Sequence, residues 1–256
     1  MNAIMTTSAF SAAITDSAAD SATAPHVRAE PSILYLGTPV TLLSTVNEDG
    51  TANLAPLSSV FWLGWRGVLG IGPSQTALNL TRTGECVINL PSPAEAGAVD
   101  AIARTTCRFP VPEHRLKMGY EYEADKFARA GMTPIASDTV AAPRALECPI
   151  QMEAVLAARH DMNQDMPAAT RLGITLFEVR VTRVHVHPGL LLDGNPNRID
   201  PDRWSPLIMS FQKLYGLDLR QIRPSRLAEI PEDMYRSPDV DRARGEPLKR
   251  AAGVAA

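Results

Sequence analysis

The first half of the chain alternates between short apolar segments and turn residues. The segment PVTLLSTV (39–46) has the apolar, β-branched composition of a buried strand, and the turn NEDG follows it. The next segment, TANLAPLSSVFWLG (51–64), predicts the returning strand of a hairpin. Because Pro56 cannot donate to a strand ladder, we predict that this strand lies at a sheet edge or is bulged or broken there.

Further strands are predicted on both sides of a short helix that Ser74 can cap. They are GVLGIG (67–72), ECVINLP (85–91), IQMEAVLAARH (150–160) and LGITLFEVRVTRVHVHP (172–188). In the last of these, the alternation of apolar positions changes phase near Phe177 and Glu178. Such a change of phase indicates a bulge or a bend of a barrel strand.

A short helix is predicted at residues 125–130, in a region of weak periodicity. Helical spacing recurs in two further regions, PAEAGAVDAIART (93–105) behind the capping residue Ser92 and DPDRWSPLIMSFQKLYG (200–216). The apolar face of the last region consists of Trp204, Leu207, Ile208, Phe211 and Leu214.

The order of these elements predicts the fold class. Many strands follow one another as hairpins and meanders, with few helices between them. The fold class is therefore predicted to be mainly β, a closed or split antiparallel barrel with peripheral helices. We expect residues 1–30 to form a flexible arm, residues 31–222 the barrel domain, and residues 223–256 a charged tail.

Composition excludes several classes of protein. The chain is 45% hydrophobic and 21% charged, with a net charge of -3, so we expect no nucleic-acid or membrane surface. Its three cysteines are far apart and have no CxxC spacing, which argues against a disulfide framework and a thiolate zinc site. No apolar run approaches the ~18 residues of a spanning helix, and the N-terminus lacks a basic leader. A cytoplasmic location is the simplest expectation.

The segment GPSQTALNLTRTG (72–84) carries the first candidate chemistry. With Ser74 as cap, the N–H groups of Gln75, Thr76 and Ala77 lack intrahelical acceptors, and such a helix start can bind phosphate. The same sequence also fits a capped surface helix that binds nothing. A P-loop and a GxGxxG after a strand are both absent.

Four segments in order carry a resemblance to a known family. They are TANLAPLSSVFWLGW, SQTALNLTRTGECVINL, ECPIQMEA and LFEVRVTRVHV. Together they resemble the flavin reductase-like, FMN-binding split-barrel family, over residues 39 to 187. The resemblance implies an antiparallel, Greek-key-like split barrel and NAD(P)H-dependent reduction of FMN, with hydride passing from nicotinamide C4 to flavin N5. FAD in place of FMN is also compatible with it.

The resemblance also implies which residues contact the flavin. Along the isoalloxazine and ribityl chain it places Asn53, Ala55, Pro56, Ser58 and Ser59. Around the phosphate it places Ser74, Gln75, Thr76 and Asn79, with Asn89 on the adjoining strand and Trp204 and Tyr215 near the site. No catalytic residue is assigned, because the two cofactors supply the reacting atoms.

One departure concerns the charge on the phosphate. Family members often carry lysine at this helix start, whereas Gln75 offers a neutral donor. Arg82 compensates if its side chain folds back, and a cation of a partner chain is the other source. The loop after His160, RHDMNQD, also departs from the Gly-Asp-His that many flavin reductases carry near the nicotinamide.

The family is typically homodimeric, so the resemblance implies a homodimer with the flavin near the interface and a flavin-using monooxygenase as one electron acceptor. Two alternatives stay open. One is an FMN-dependent oxidase, oxygenase, ene-reductase or nitroreductase, for which LLDGNPNRIDPDRW (191–204) would form a substrate lid. The other is a flavin-binding dimeric protein without catalysis.

Other chemical side chains have simpler interpretations. His185 and His187 share one face of a strand, but no third ligand is evident and no metal site is predicted. Phe61, Trp62 and Trp65 either stack on a flavin or belong to the core or dimer interface, and we favour the second. Three more residues are assigned to turn chemistry rather than to a calcium loop: Asp193, Asn195 and Asn197.

Overall fold

The computed structural model of the chain describes residues 25–248. The described residues divide between Leu34 and Tyr35 into two units. In the first unit, residues 25–34 are mostly exposed and contain no helix or strand. The division into an arm, a barrel domain and a tail at residues 30 and 222 stays a prediction, and most of the arm lies outside the described residues.

The second unit carries the strands. In chain order these are β1 (Leu36–Pro39), β2 (Thr41–Val46), β3 (Ala52–Leu57), β4 (Val60–Leu63), β5 (Arg66–Ile71), β6 (Glu85–Leu90), β7 (Pro134–Ile135), β8 (Arg144–Ala145), β9 (Ile150–Asp161), β10 (Thr175–Val186), β11 (Leu191–Leu192), β12 (Asn195–Ile199), β13 (Leu207–Ser210) and β14 (Lys213–Gly216). The α-helices of the described region are α1 (Gln75–Thr83), α2 (Ala96–Ala101), α3 (Glu113–Leu116), α4 (Lys126–Ala130) and α5 (Pro238–Ala243). The predicted helices after Ser92 and at 125–130 are therefore present as α2 and α4.

Seven strands form one antiparallel sheet in the order β3-β2-β6-β9-β10-β5-β4. Its two edge strands, β3 and β4, are joined by Ser58 and Ser59 alone. Three Cα–Cα steps span at most about 11 Å, so the two edges lie close together and the sheet must curl on itself. The curled antiparallel sheet confirms the predicted fold class. The edge position of β3, where Pro56 pairs with Leu42, confirms the interpretation of that proline.

The two longest strands, β9 and β10, pair along nearly their whole length. Their register shifts between Glu178 and Val179, and again between Val181 and Arg183. The first shift lies where the apolar alternation changes phase, which confirms the predicted bulge. A bulge increases local twist, and this helps a long strand to follow a curled sheet.

Both faces of β2 are buried. Leu43 packs inside the curled sheet with Leu69, Ile88 and Phe177. Its neighbour Leu42 points the other way, as successive strand residues do, into a second core under α2 and α4. This is why β2 reads as a continuous apolar run, and why α4 has a fixed position over the sheet.

The helix predicted at 200–216 is wrong. This region forms the hairpin of β13 and β14, and β13 also pairs with β1. The turn residues Phe211 and Gln212 have φ of 44° and 65°, a conformation that supports a tight hairpin and ends any helix. The helical spacing of the apolar residues was coincidental, because tertiary pairing selects the strand.

The C-terminal segment is partly anchored to the sheet. Helix α5 contacts β10, and Asp239 accepts hydrogen bonds from Arg66 Nε and Nη2 at 2.7 and 3.2 Å. Arg66 also donates to Glu178 at 2.9 Å. Across residues 25–248, no helix is long and apolar enough to cross a bilayer.

Candidate functional site

Helix α1 begins as the sequence predicts. Ser74 is the N-cap, and its Oγ accepts from the Ala77 N–H at 3.3 Å. Within the described part of the chain, the backbone N–H groups of Gln75 and Thr76 have no acceptor. The helix start therefore presents two free donors and the positive end of the helix dipole.

Buried side chains fix this helix start to the sheet. Asn53 on β3 donates to Oγ1 of Thr45 at 3.0 Å and to Oγ1 of Thr76 at 3.1 Å. Asn79, one helical turn later, donates to the same Thr45 oxygen at 3.0 Å. These four side chains, which we call the amide network, are at most 3% exposed. They set the angle of α1 against β2 and β3.

The network continues to the surface through two more residues. Gln75 Nε2 donates to Asn79 Oδ1 at 2.9 Å, and Asn79 Nδ2 donates to Asn47 Oδ1 at 2.8 Å. One N–H donor of the Gln75 amide is therefore already used in a hydrogen bond within the protein. The structure thus brings Asn53, Gln75, Thr76 and Asn79 together, as the resemblance implied.

A lysine that sequence reasoning missed completes the cluster. Lys126, the first residue of α4, is 3% exposed, and its Nζ donates to Asn53 Oδ1 at 2.8 Å. Burial lowers the pKa of Lys126 to about 8, although Cys107 and Glu123 act in the opposite direction. Between residues 25 and 248, Asn53 is the one acceptor within hydrogen-bond distance of this ammonium, and no carboxylate lies within 4 Å of it. Two of its three donors are thus unused.

One local signal marks Lys126 in the sequence. It directly follows Asp125, whose side chain caps α4 by accepting from the Ala128 N–H at 3.0 Å. Acidic residues are favoured in the first turn of a helix and cations are disfavoured there. A lysine at this position is therefore unusual, but its contact with Asn53 spans 73 residues and leaves no local pattern.

A cavity of about 610 Å³ lies against the helix start. Its wall includes residues 47–49 and 51 of the β2–β3 turn, the first two residues of β3, Gln75, the start of α4, and the aromatic residues Phe109 and Tyr122. Both Gln75 and Lys126 border this space, so the first residue of α1 and the first residue of α4 share one cavity. A phosphate with part of a nucleotide fits a cavity of this size.

Three of the carboxylates around the cavity are already engaged. Asp49 accepts from the backbone and hydroxyl of Thr51, and Asp125 caps α4. Glu123 accepts from the Asp125 N–H and lies 3.6 Å from Arg129. These contacts hold the acidic groups in the turns that surround the cavity.

The residues implied for the isoalloxazine lie where the two edge strands of the sheet, β3 and β4, are joined, a place that we call the seam. Ala55 and Pro56 belong to the edge strand β3, while Ser58 and Ser59 form the connection to β4. The Ser59 carbonyl accepts from the Gly70 N–H at 2.8 Å, which ties the connection to β5. In the described sheets β3 pairs with β2 alone, so its outer backbone groups are available to a ligand.

Asn89 is not brought to this cluster. Its Nδ2 donates to the Leu42 carbonyl at 2.9 Å and to Ser44 Oγ at 3.3 Å, and its Oδ1 accepts from the Ala145 N–H at 2.8 Å. The side chain is fully buried, and these contacts use its amide donors and its oxygen. It joins β6 to β2 and β8.

Arg82 does not compensate for the neutral Gln75. Its Nη2 donates to the Val46 carbonyl at 2.5 Å, and the structure shows no contact between it and the start of α1 within residues 25–248. Among the aromatic residues, Trp62 packs against the core inside the sheet, as we favoured, whereas Phe61 is 52% exposed. Tyr215, on β14, is exposed and is not among the residues around the cavity.

The two strand histidines are separated by the end of β10. His187 lies beyond Val186 and caps a turn by accepting from the Gly189 N–H at 3.1 Å. His185 Nε2 lies 2.7 Å from Oε1 of the buried Glu153. Burial alone would raise the pKa of Glu153, but hydrogen bonds from Thr139, the Asp138 N–H and His185 lower it.

These contacts make Glu153 the centre of a structural cluster. A carboxylate oxygen of Asp138, one of Glu153 and a ring nitrogen of His185 all lie within 4.8 Å of one another. Both oxygens of Glu153 already accept hydrogen bonds, from the Asp138 N–H and His185 and from Thr139. The arrangement explains the buried carboxylate without an ion.

Known proteins share the sequence and the fold of this chain. The family model of the flavin reductase like domain matches residues 34–216. The uncharacterized protein YdfE of Bacillus subtilis (strain 168) is 38% identical over 189 residues, which cover 73% of this chain and 87% of that protein.

Solved structures share the fold. Flavoredoxin of Desulfovibrio vulgaris (Miyazaki F) is 18% identical and superposes with a TM-score of 0.63, over 81% of this chain and 100% of that chain. A Shewanella frigidimarina NCIMB 400 protein described as a flavin reductase with a split barrel domain is 20% identical, with a TM-score of 0.56 over 74% and 86% of the two chains. The curled seven-stranded sheet is therefore a split barrel.

Proposed function

This chain belongs to the flavin reductase-like family, and we propose that it is a flavin-binding oxidoreductase that uses NAD(P)H to reduce FMN. The observation that carries the proposal is the start of α1. A helix start with two free backbone donors is held in place by buried amide side chains, and its first residue, Gln75, borders a cavity large enough for part of a nucleotide. This is the arrangement that a flavin phosphate requires.

The residues of β3 and of its connection to β4 are suited to the ribityl chain and the ring of FMN. Gln75 and Thr76 would hold the phosphate, Asn53 on β3 would contact the ribityl chain, and Pro56, Ser58 and Ser59 would hold the ring. Pro56 has no N–H, and Ser58 and Ser59 are small enough for a flat ring to approach the backbone. The outer backbone groups of the edge strand would supply hydrogen-bonding groups for the polar edge of the ring.

Bound FMN would supply the redox chemistry by accepting a hydride at N5 from C4 of the nicotinamide. The protein's own share is to orient the ring, to exclude water from the reacting face and to hold the phosphate. Within this proposal no side chain needs to act as a general acid or base.

The proposal extends to assembly. The family resemblance supports a homodimer with the flavin near the interface, in the cytoplasm, with a flavin-using monooxygenase as an acceptor of reduced flavin. Light scattering of the purified protein after size-exclusion chromatography tests the first point, because a monomeric mass contradicts it.

Oxidation of NADH and NADPH tests the activity, with FMN, FAD or no flavin added. We expect oxidation of at least one nicotinamide that depends on bound or added FMN. The variants Asn53→Ala and Thr76→Ala should lose flavin affinity, whereas Asn195→Ala, at the exposed start of β12, should not. Tight flavin binding without nicotinamide oxidation would exclude the reductase. Unchanged flavin affinity in both site variants would refute this placement of the phosphate.

A further inference from the structure

We propose that Lys126 supplies the positive charge for the flavin phosphate and thereby makes the site select FMN over riboflavin. The inference rests on the proposed function, and it assigns the charge to a residue far from the phosphate segment in sequence. It also identifies the chemical feature that is recognised, a phosphomonoester at the end of a ribityl chain.

The position of the ammonium group supports this role. Its Nζ is linked to the helix start by two hydrogen bonds, through Asn53 to Oγ1 of Thr76. Lys126 and Gln75 also border the same cavity. A phosphate at the free donors of α1 would therefore lie near the Asn53 side chain that holds the ammonium.

The contacts of the ammonium leave it able to bind an anion. A buried ammonium is usually paired with a carboxylate or covered by acceptors, because desolvation of an unpaired charge is costly. In the described chain Lys126 has one neutral acceptor, Asn53 Oδ1, and no ion pair. A dianionic phosphate would satisfy its two remaining donors and neutralise the charge.

Other cations are engaged elsewhere. Arg82, on α1 itself, donates to the Val46 carbonyl. Arg129, at the far end of α4, pairs with Glu121 and Glu123. Among the residues around the cavity, Lys126 is the one that carries a positive side chain.

The test compares flavins with and without the phosphate. Dissociation constants for FMN and riboflavin are measured by flavin fluorescence with the wild-type protein and two variants, Lys126→Met and Lys126→Gln. The glutamine keeps an N–H donor for Asn53 while it removes the charge. Lys117→Met is the matched control, because Lys117 is exposed and pairs with Glu113. Circular dichroism establishes that each variant is folded.

We expect both Lys126 variants to bind FMN about 10- to 100-fold more weakly, the range of a charge-assisted hydrogen bond, with riboflavin affinity unchanged. Lys117→Met should bind both flavins as the wild type does. FMN affinity equal to that of the wild type in a folded Lys126 variant overturns the inference, as does an equal loss for both flavins. A wild-type protein that binds neither flavin would instead show that the proposed function is wrong, and the inference falls with it.

Discussion

The buried ammonium of Lys126 should make the stability of the unliganded protein depend on pH. Its pKa is about 8 in the folded protein, against an ordinary value of 10.5. Between these values the unfolded chain binds more protons than the folded one, so the free energy of unfolding rises with pH in this window. One pKa unit corresponds to 1.36 kcal/mol, so the difference of about 2.5 units changes the free energy of unfolding by about 3 kcal/mol across this window.

The variant Lys126→Met isolates this contribution. Methionine has a similar length and no charge, and the other titrating groups cancel when the two proteins are compared. The variant also loses the hydrogen bond to Asn53 Oδ1, which costs about 1–3 kcal/mol at every pH. The quantity to follow is therefore the change with pH in the difference between wild type and variant.

Urea unfolding followed by far-UV circular dichroism measures that difference. From about pH 7 to about pH 10.5, the wild type should gain about 3 kcal/mol relative to Lys126→Met. With saturating FMN the gain should begin at higher pH and become smaller, since a phosphate favours the charged ammonium and raises its pKa toward the unfolded value. A difference that stays constant across the range would refute the assignment of a buried charge.

Three further predictions follow from the site and its surroundings. Gln75→Lys should strengthen FMN binding several-fold and leave riboflavin unchanged, which parallel titrations measure. Thr45→Val removes the acceptor shared by two buried amides and should cost about 2–4 kcal/mol in urea unfolding; a loss below about 0.5 kcal/mol contradicts the amide network. Asp239→Asn should weaken the contact with Arg66 and cost about 1 kcal/mol, with faster hydrogen exchange in α5; unaltered exchange there contradicts it.

Much of the barrel was predictable because its signals are local. The apolar run of β2, the proline of β3 and the phase change near Glu178 each reflect one strand and its neighbours. The cap of α1 is local as well, since Ser74 and the Ala77 N–H lie three residues apart. The family resemblance singled out Asn53, Thr76 and Asn79 as flavin contacts, which stays a prediction, but it did not predict the hydrogen bonds that link them.

The rest depends on contacts that local patterns do not encode. The β13–β14 hairpin was mistaken for a helix because its turn residues, Phe211 and Gln212, lack the glycine or asparagine that usually signals positive φ. Lys126 was missed because its role depends on burial beside Asn53, which is distant in sequence, and not on the residues next to it in the chain. Asn89 matched a family position, but its partners are the Leu42 and Ala145 backbone groups.

The two-residue connection between β3 and β4 links the ligand site to the closure of the barrel. Ser58 and Ser59 reach from one edge of the seven-stranded sheet to the other, so the proposed ring site is formed only when the two edges meet. A ligand at this seam would contact both edge strands, β3 and β4, at once. A flavin bound there would hold the two edges together, and its binding free energy would add to the free energy needed to open the barrel.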